Sequence, residues 1–255
     1  MSAREEPVAA SDAVPRIELS AWKDRFGLTA GITTRGPHRD YSLSVWSGTE
    51  PVGQAMERWR EFRRVFAPGF STLVLGRQIH GREVRWQGPA AERWILLDGC
   101  DGHATREAGV LLAVSVADCV PVYLTEAQTG AIALLHAGWR GTAAGILEVA
   151  IALLERRAAI ATLDIIMHCG VSICGACYEV GPEVVLALTG RRVDKSERLD
   201  LRAELGRRAR EAGVREVTIS PLCAAHDADW FHSHRASGGR AGRMIAYLGR
   251  AAPGA

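Results

Sequence analysis

The 255-residue sequence contains no asparagine, and its lysines are confined to Lys23 and Lys195, so almost all of its 31 basic residues are arginine. That skew is a signature of genome composition and carries no functional reading. An excess of one charge sign is also missing. The 31 basic and 29 acidic residues leave a formal charge of +2 with no basic block, which argues against a nucleic-acid partner. The longest apolar run, residues 110–124, is interrupted by Asp118 and Pro121 and falls short of the ~20 residues of a membrane span. The first fifteen residues lack the apolar segment of a secretory signal. The expectation is a cytoplasmic protein with neither membrane nor nucleic acid as partner; the oligomeric state is not legible.

What is present is a large apolar fraction, 47% hydrophobic against 24% charged, enough for one sizeable buried core. Residues 28–34, 71–76, 110–116, 120–125, 131–135, 163–167 and 214–219 read as strands. Residues 52–66, 142–157 and 200–212 read as helices, the last closed by Gly213. No repeat or Pro-rich linker divides the chain. The expectation is a single mixed α/β domain over residues 16–250, with a disordered tail over 1–15 and a frayed end over 251–255.

Chemistry has to be sought among six cysteines and eight histidines. Three polar groups follow apolar strands abruptly: Gln78-Ile79-His80-Gly81, Ala117-Asp118-Cys119 and His136-Ala137-Gly138-Trp139-Arg140-Gly141. Strand ends are where an α/β sheet displays its site. His80, Cys119 and His136 offer two imidazoles and a thiolate, a ligand set for Zn²⁺ that leaves a fourth position open. The same three side chains equally describe a Cys nucleophile with a His base. Their wide separation in sequence does not decide between the two.

A local motif competes with them. Cys169-x4-Cys174-x2-Cys177, with Cys223 downstream, has the spacing of a plant-type [2Fe–2S] loop. Two loops add further polar groups. Residues 229–235 with 239–244 could hold an anion through Arg235 and Arg243. The turn-rich segment 98–103 could approach a ligand, but its composition reads first as a connection.

Taken in order, GRQIHG, ADCVP and HAGWRG resemble the YfiH-like family, also called laccase-domain or polyphenol-oxidase-like proteins. The likeness extends to Ala30-Gly31-Ile32-Thr33-Thr34-Arg35, Cys177-Tyr178-Glu179-Val180-Gly181, Phe231-His232-Ser233-His234-Arg235 and Gly242-Arg243-Met244. The chain departs from the family pattern at Glu57, Val171, Ala224 and Ala236, and residues 41–44 lack the usual asparagine. The resemblance implies a mixed α/β sandwich related to the toxin domain of cytotoxic necrotising factor, with zinc held by His80, Cys119 and His136. It also sets aside the ferredoxin reading of the cysteine loop, because the matching family segment carries no cluster.

By the same resemblance, the expected activity is purine nucleoside phosphorolysis, adenosine or inosine with phosphate giving base and ribose 1-phosphate, with adenosine deamination as a side activity. Arg58, Gln78, Asp118, Arg140 and Arg243 are the expected substrate and phosphate contacts. The alternatives are a cysteine hydrolase or a peptidoglycan-editing factor using Cys119. A copper polyphenol oxidase ranks lower, because the chain has a single His-x-His pair, His232 and His234, for a multicopper centre. Copper is accordingly the second choice of metal after zinc.

Overall fold

A computed structural model of the chain describes residues 4–9, 12–38, 40–46, 51–89, 91 and 93–254. Among them, two mixed sheets stack face to face. The first runs in the order β1 (Glu5–Pro7), β2 (Arg16–Leu19), β3 (Leu28–Thr33), β15 (Met244–Arg250), β8 (Val110–Val116), β4 (Thr72–Arg77) and β6 (Arg93–Asp98). The second runs β14 (Glu216–Ile219), β11 (Ile166–Cys169), β9 (Val120–Thr125), β10 (Ile132–Ala137), β7 (Gly102–Thr105) and β5 (Val84–Trp86). A small ribbon, β12 (Glu179–Val180) with β13 (Glu197–Arg198), lies outside both.

Strand periodicity explains the layering. Along β8, Leu112, Val114 and Val116 face the second sheet and meet Tyr123, Ile132 and Leu134, while Leu111 and Ala113 face outward onto α2 (Val52–Phe66). Along β9 and β10, Val122, Leu124, Ala133 and Leu135 face the other way, towards α4 (Ile146–Ala158), α5 (Pro182–Thr189) and α6 (Leu201–Ala212). Both faces of the central strands are therefore buried, which is why they read as continuous apolar runs. The result is a helix, sheet, sheet, helix sandwich within a single domain. Two short helices, α1 (Ser20–Phe26) and α3 (Trp139–Ala143), complete it. No helix among the described residues is long and apolar enough to cross a membrane.

Helix α2 has no side-chain N-cap, so its hold on the sheet comes from its packed face. Trp59 and Phe62 are fully buried there, each contributing about 1.5–3 kcal/mol on hydrophobic transfer, and Trp59 Nε1 donates to the Leu43 carbonyl at 3.0 Å. Helix α6 is fixed at both ends instead. Asp200 accepts from the amides of Arg202 and Ala203, and Gly213 at φ 105° terminates the last turn.

The structure corrects four expectations. The helix expected over 142–157 is two helices, because Gly145 turns the chain left-handed at φ 86° between α3 and α4. The strand expected over 163–167 begins at Ile166, after a 3₁₀ turn at Thr162–Asp164. The expected tail over 1–15 contains β1, paired antiparallel with β2 and tied down where Ser220 Oγ donates to Glu5 Oε2 at 2.5 Å; residues 1–3, 10 and 11 lie outside the described residues. In the expected frayed end, the Ala252 amide donates to the Gly69 carbonyl at 2.9 Å, and residue 255 lies outside the described residues.

Candidate metal centre

The chain passes from the first sheet to the second through the turn between β8 and β9, and Asp118 and Cys119 occupy that turn. Beside β8, β4 runs out into the loop carrying His80; beside β9, β10 carries His136. Three neighbouring strand ends thus meet at one place. Gln78 locks the first loop to β8, its Nε2 donating to the Ser115 carbonyl and its Oε1 accepting from the Ser115 amide, both at 2.7 Å.

His80, Cys119 and His136 each offer one ligand atom, and the three atoms lie within 4.8 Å of one another. The two imidazoles stand edge to face, with ring centroids 4.8 Å apart at 77°. The backbone is strained at this point: His80 at φ 60° and Asp118 at φ 85° are left-handed without being glycine, a cost of about 1–3 kcal/mol each. Asp101, wholly buried, holds the His80 loop in that shape. Its carboxylate accepts from the amides of Ile79, His80 and Gly81 at 3.1, 2.9 and 2.9 Å. The same carboxylate accepts from His136 Nδ1 at 2.9 Å, which leaves His136 Nε2 as the outward-facing donor.

These contacts set the protonation of the site. Burial opposes the Cys119 thiolate, yet the imidazoles of His136 and His80 outweigh it and bring the thiol down to about 6. Burial likewise opposes a charged His136, but the Cys119 sulfur and the Asp101 carboxylate raise it to about 9. Asp101 itself is lowered, His136 overcoming the desolvation that would raise it. Both shifts favour a thiolate beside an imidazolium when no metal is bound. Its donor chemistry, one anionic sulfur and two imidazoles with one of them oriented by a carboxylate, fits zinc.

Close packing explains the glycines of HAGWRG. A Cβ on Gly138 would lie 3.0 Å from Cys119 Sγ and 3.1 Å from His80 Cδ2, and one on Gly141 would lie 2.6 Å from the Gly81 carbonyl oxygen. The side chains of Cys119 and His80 therefore occupy the space that a residue with a Cβ would need.

The three side chains line a cleft of about 630 Å³, together with Gln78, Asp118, Trp139, Arg140, Tyr178, Arg235 and Arg243 among others. Arg140 lies over the Trp139 ring at 4.4 Å and Arg235 over Tyr178 at 5.3 Å. Arg243 is turned in against the Ala241 and Gly242 carbonyls, and burial lowers its pKa. Asp118 Oδ2 accepts from the Arg235 amide at 2.7 Å, whereas its Oδ1 is buried with no hydrogen-bond partner among the described residues.

Arg58 does not join this group. Its guanidinium donates to the Ser42 carbonyl at 3.1 Å and lies over Tyr41, away from the cleft lining. The departures at Glu57, Val171, Ala224 and Ala236 also lie off the lining: Val171 and Ala224 are buried between the sheets, Glu57 and Ala236 exposed. Cys169 is buried with its sulfur facing the Arg202 carbonyl and its thiol pushed up to about 12 by desolvation, so the four-cysteine ferredoxin set is not assembled. Asp101 is the functional residue that sequence patterning does not single out, because nothing in the turn-rich segment 98–103 distinguishes its carboxylate from that of Asp98.

Among relatives, a protein of Geobacillus stearothermophilus named purine nucleoside phosphorylase YlmD is 32% identical over 249 residues, covering 88% of this chain and 90% of that protein. A protein from an unknown prokaryote named adenosine deaminase RL5 is 34% identical over 193 residues, covering 68% and 73%. The crystal structure of YlmD from Geobacillus stearothermophilus superposes with a TM-score of 0.85 at 28% identity, covering 98% of this chain and all of that one. Residues 29–251 match the family described as multi-copper polyphenol oxidoreductase laccase, and with that extent of sequence and fold the chain belongs to this family.

Proposed function

We propose that the chain is a purine nucleoside phosphorylase acting on adenosine or inosine, with adenosine deamination as a side activity. The observation that carries the reading is a His₂Cys cluster in the lining of a cleft also lined by Arg140, Arg235 and Arg243. Relatives named for both activities support it. Zinc held by His80, Cys119 and His136 would supply a Lewis acid with a fourth position open to substrate.

The remaining roles fall to the chain's own side chains. Arg140 and Arg243 gather the phosphate dianion and hold it against C1′ of the ribose. The bond from phosphate oxygen to C1′ forms as the C1′–N9 bond breaks, and the base departs with that electron pair and takes up the proton that the hydrogen phosphate gives up. Asp118 Oδ1, buried and without a donor among the described residues, accepts a hydrogen bond from the nucleoside. Trp139 and Tyr178 give the purine a flat apolar wall. Asp101 keeps His136 in one tautomer throughout.

The thiolate–imidazolium pair keeps a cysteine hydrolase in view as the second reading. Copper would find the same His₂Cys donors, but neither of the His/Cys/Asp/Glu clusters among the described residues is a histidine array of multicopper type. The six cysteines are free thiols, which suits a reducing cytoplasm.

Zinc-loaded protein incubated with adenosine or inosine, with and without phosphate, separates these readings by product chromatography. Phosphorolysis gives free base and ribose 1-phosphate only when phosphate is present. Inosine from adenosine without phosphate is the deamination. Base release that ignores phosphate would make the protein a hydrolase.

A further inference from the structure

A second set of ligand-type side chains lies outside the cleft centre. Cys174 and Cys177, in the loop after β11, come together with Cys223 and His226, in the loop after β14, with one ligand atom from each within 4.8 Å of the others. Sequence spacing alone pointed to Cys169 as the fourth member; the fold replaces it with His226. The four residues then read as Cys-x2-Cys followed far downstream by Cys-x2-His, two short pairs of the kind that bracket a structural zinc.

We propose that Cys174, Cys177, Cys223 and His226 bind a second zinc ion, closed to substrate, that staples one wall of the cleft. Four protein ligands complete a tetrahedral shell and leave no open position, in contrast to the three-ligand centre at Cys119. A tetrahedron with Zn–S bonds of ~2.3 Å places sulfurs about 3.8 Å apart, and the cluster already has that scale. The His226 ring stands 3.6 Å from Cys174 Sγ through Nδ1 and 3.2 Å from Cys177 Sγ through Nε2.

The backbone is arranged for a thiolate as well. The amides of Cys174 and His226 both donate to Cys223 Sγ, at 3.3 and 3.5 Å, which stabilises sulfur as an anion. The two loops meet through a single bridge between Ser172 and Cys223, supported by the Ala224 amide donating to the Ser172 carbonyl at 3.0 Å. His226 is solvent-exposed, so apolar packing does not account for its place over the sulfurs.

The staple bears on the cleft because Ile173 and Tyr178, which line it, flank the Cys174–Cys177 pair directly. Zinc fits better than a two-iron cluster, which needs its ligand pairs spread over two metals, whereas one ligand atom from each of these four residues lies within 4.8 Å of the others.

The test is metal analysis of zinc-supplemented full-length protein. Wild type should carry two zinc ions per chain, and His226→Ala, Cys174→Ser and Cys119→Ala one each. Cobalt substitution of Cys119→Ala should give the intense visible bands of tetrahedral thiolate coordination, and those bands should vanish when His226→Ala is added. Because His226 is exposed, its variant is expected to fold, as circular dichroism will verify. A single zinc in wild type that survives His226→Ala overturns the proposal. So does stoichiometric iron with visible absorption lost in Cys174→Ser, or a Cys174–Cys177 disulfide in protein purified under reducing conditions.

Discussion

Asp101 holds His136 from two directions: its Oδ1 accepts from His136 Nδ1 at 2.9 Å, and its backbone carbonyl accepts from the His136 amide at 2.7 Å. The carboxylate also accepts from three successive amides of the His80 loop, so one buried side chain places two of the three candidate ligands. Asp101→Asn cannot serve all of these donors, because its NH₂ would face a backbone N–H. Zinc affinity at the Cys119 centre should fall about 10–100-fold, as for other lost partners of a ligand histidine, measured by competition with a chromogenic chelator. Unchanged affinity would mean that Asp101 does not orient the ligand.

Acidity of Cys119 gives a pH signature. Its pKa is lowered, so in zinc-stripped protein the thiolate persists to lower pH, and alkylation at Cys119 should rise with a midpoint near pH 6. An ordinary thiol would rise near ~8.5. Cys100, buried and shifted upward by desolvation, serves as the slow internal reference in the peptide map. Reloading zinc should protect Cys119 across the whole range.

The two glycines of HAGWRG should fail differently. A Cβ at position 138 meets two ligand side chains, so Gly138→Ala should weaken zinc binding while largely keeping the melting temperature. At position 141 the Cβ meets backbone oxygen at 2.6 Å, so Gly141→Ala should lose about 1–3 kcal/mol of stability, read by denaturant unfolding. Equal effects of the two on both readouts would go against this assignment.

Arginines should divide by position. Arg243→Ala and Arg140→Ala should raise the KM for phosphate, each by about 10–100-fold, the size of a charge-assisted hydrogen bond lost from the complex. Arg58→Ala should leave that KM unchanged, because Arg58 is spent on Ser42 and Tyr41. A phosphate effect at Arg58 equal to that at Arg243 would require a different phosphate site.

Periodicity made Val52–Phe66, Val110–Val116 and Val120–Thr125 legible, because each is long, strongly apolar on its packed face or faces, and bounded by polar turns. It missed Met244–Arg250, the strand between β3 and β8, whose apolar residues follow an Arg- and Gly-rich loop that dominates the local pattern. The motif order singled out His80, Cys119 and His136, but the roles of Asp101 and His226 exist only in three dimensions. Asp101 works through backbone amides that any sequence offers. His226 reaches the cysteine loop from another strand's end, and Cys169, in perfect spacing, is carried away into the core by β11.

The most direct measurement is zinc content and ribose 1-phosphate formation in Cys119→Ala beside wild type, both with inosine and phosphate. The expected result is one zinc ion fewer than wild type and loss of turnover together, with the fold intact by circular dichroism. Full zinc occupancy with turnover abolished would contradict it, making Cys119 a nucleophile and not a ligand.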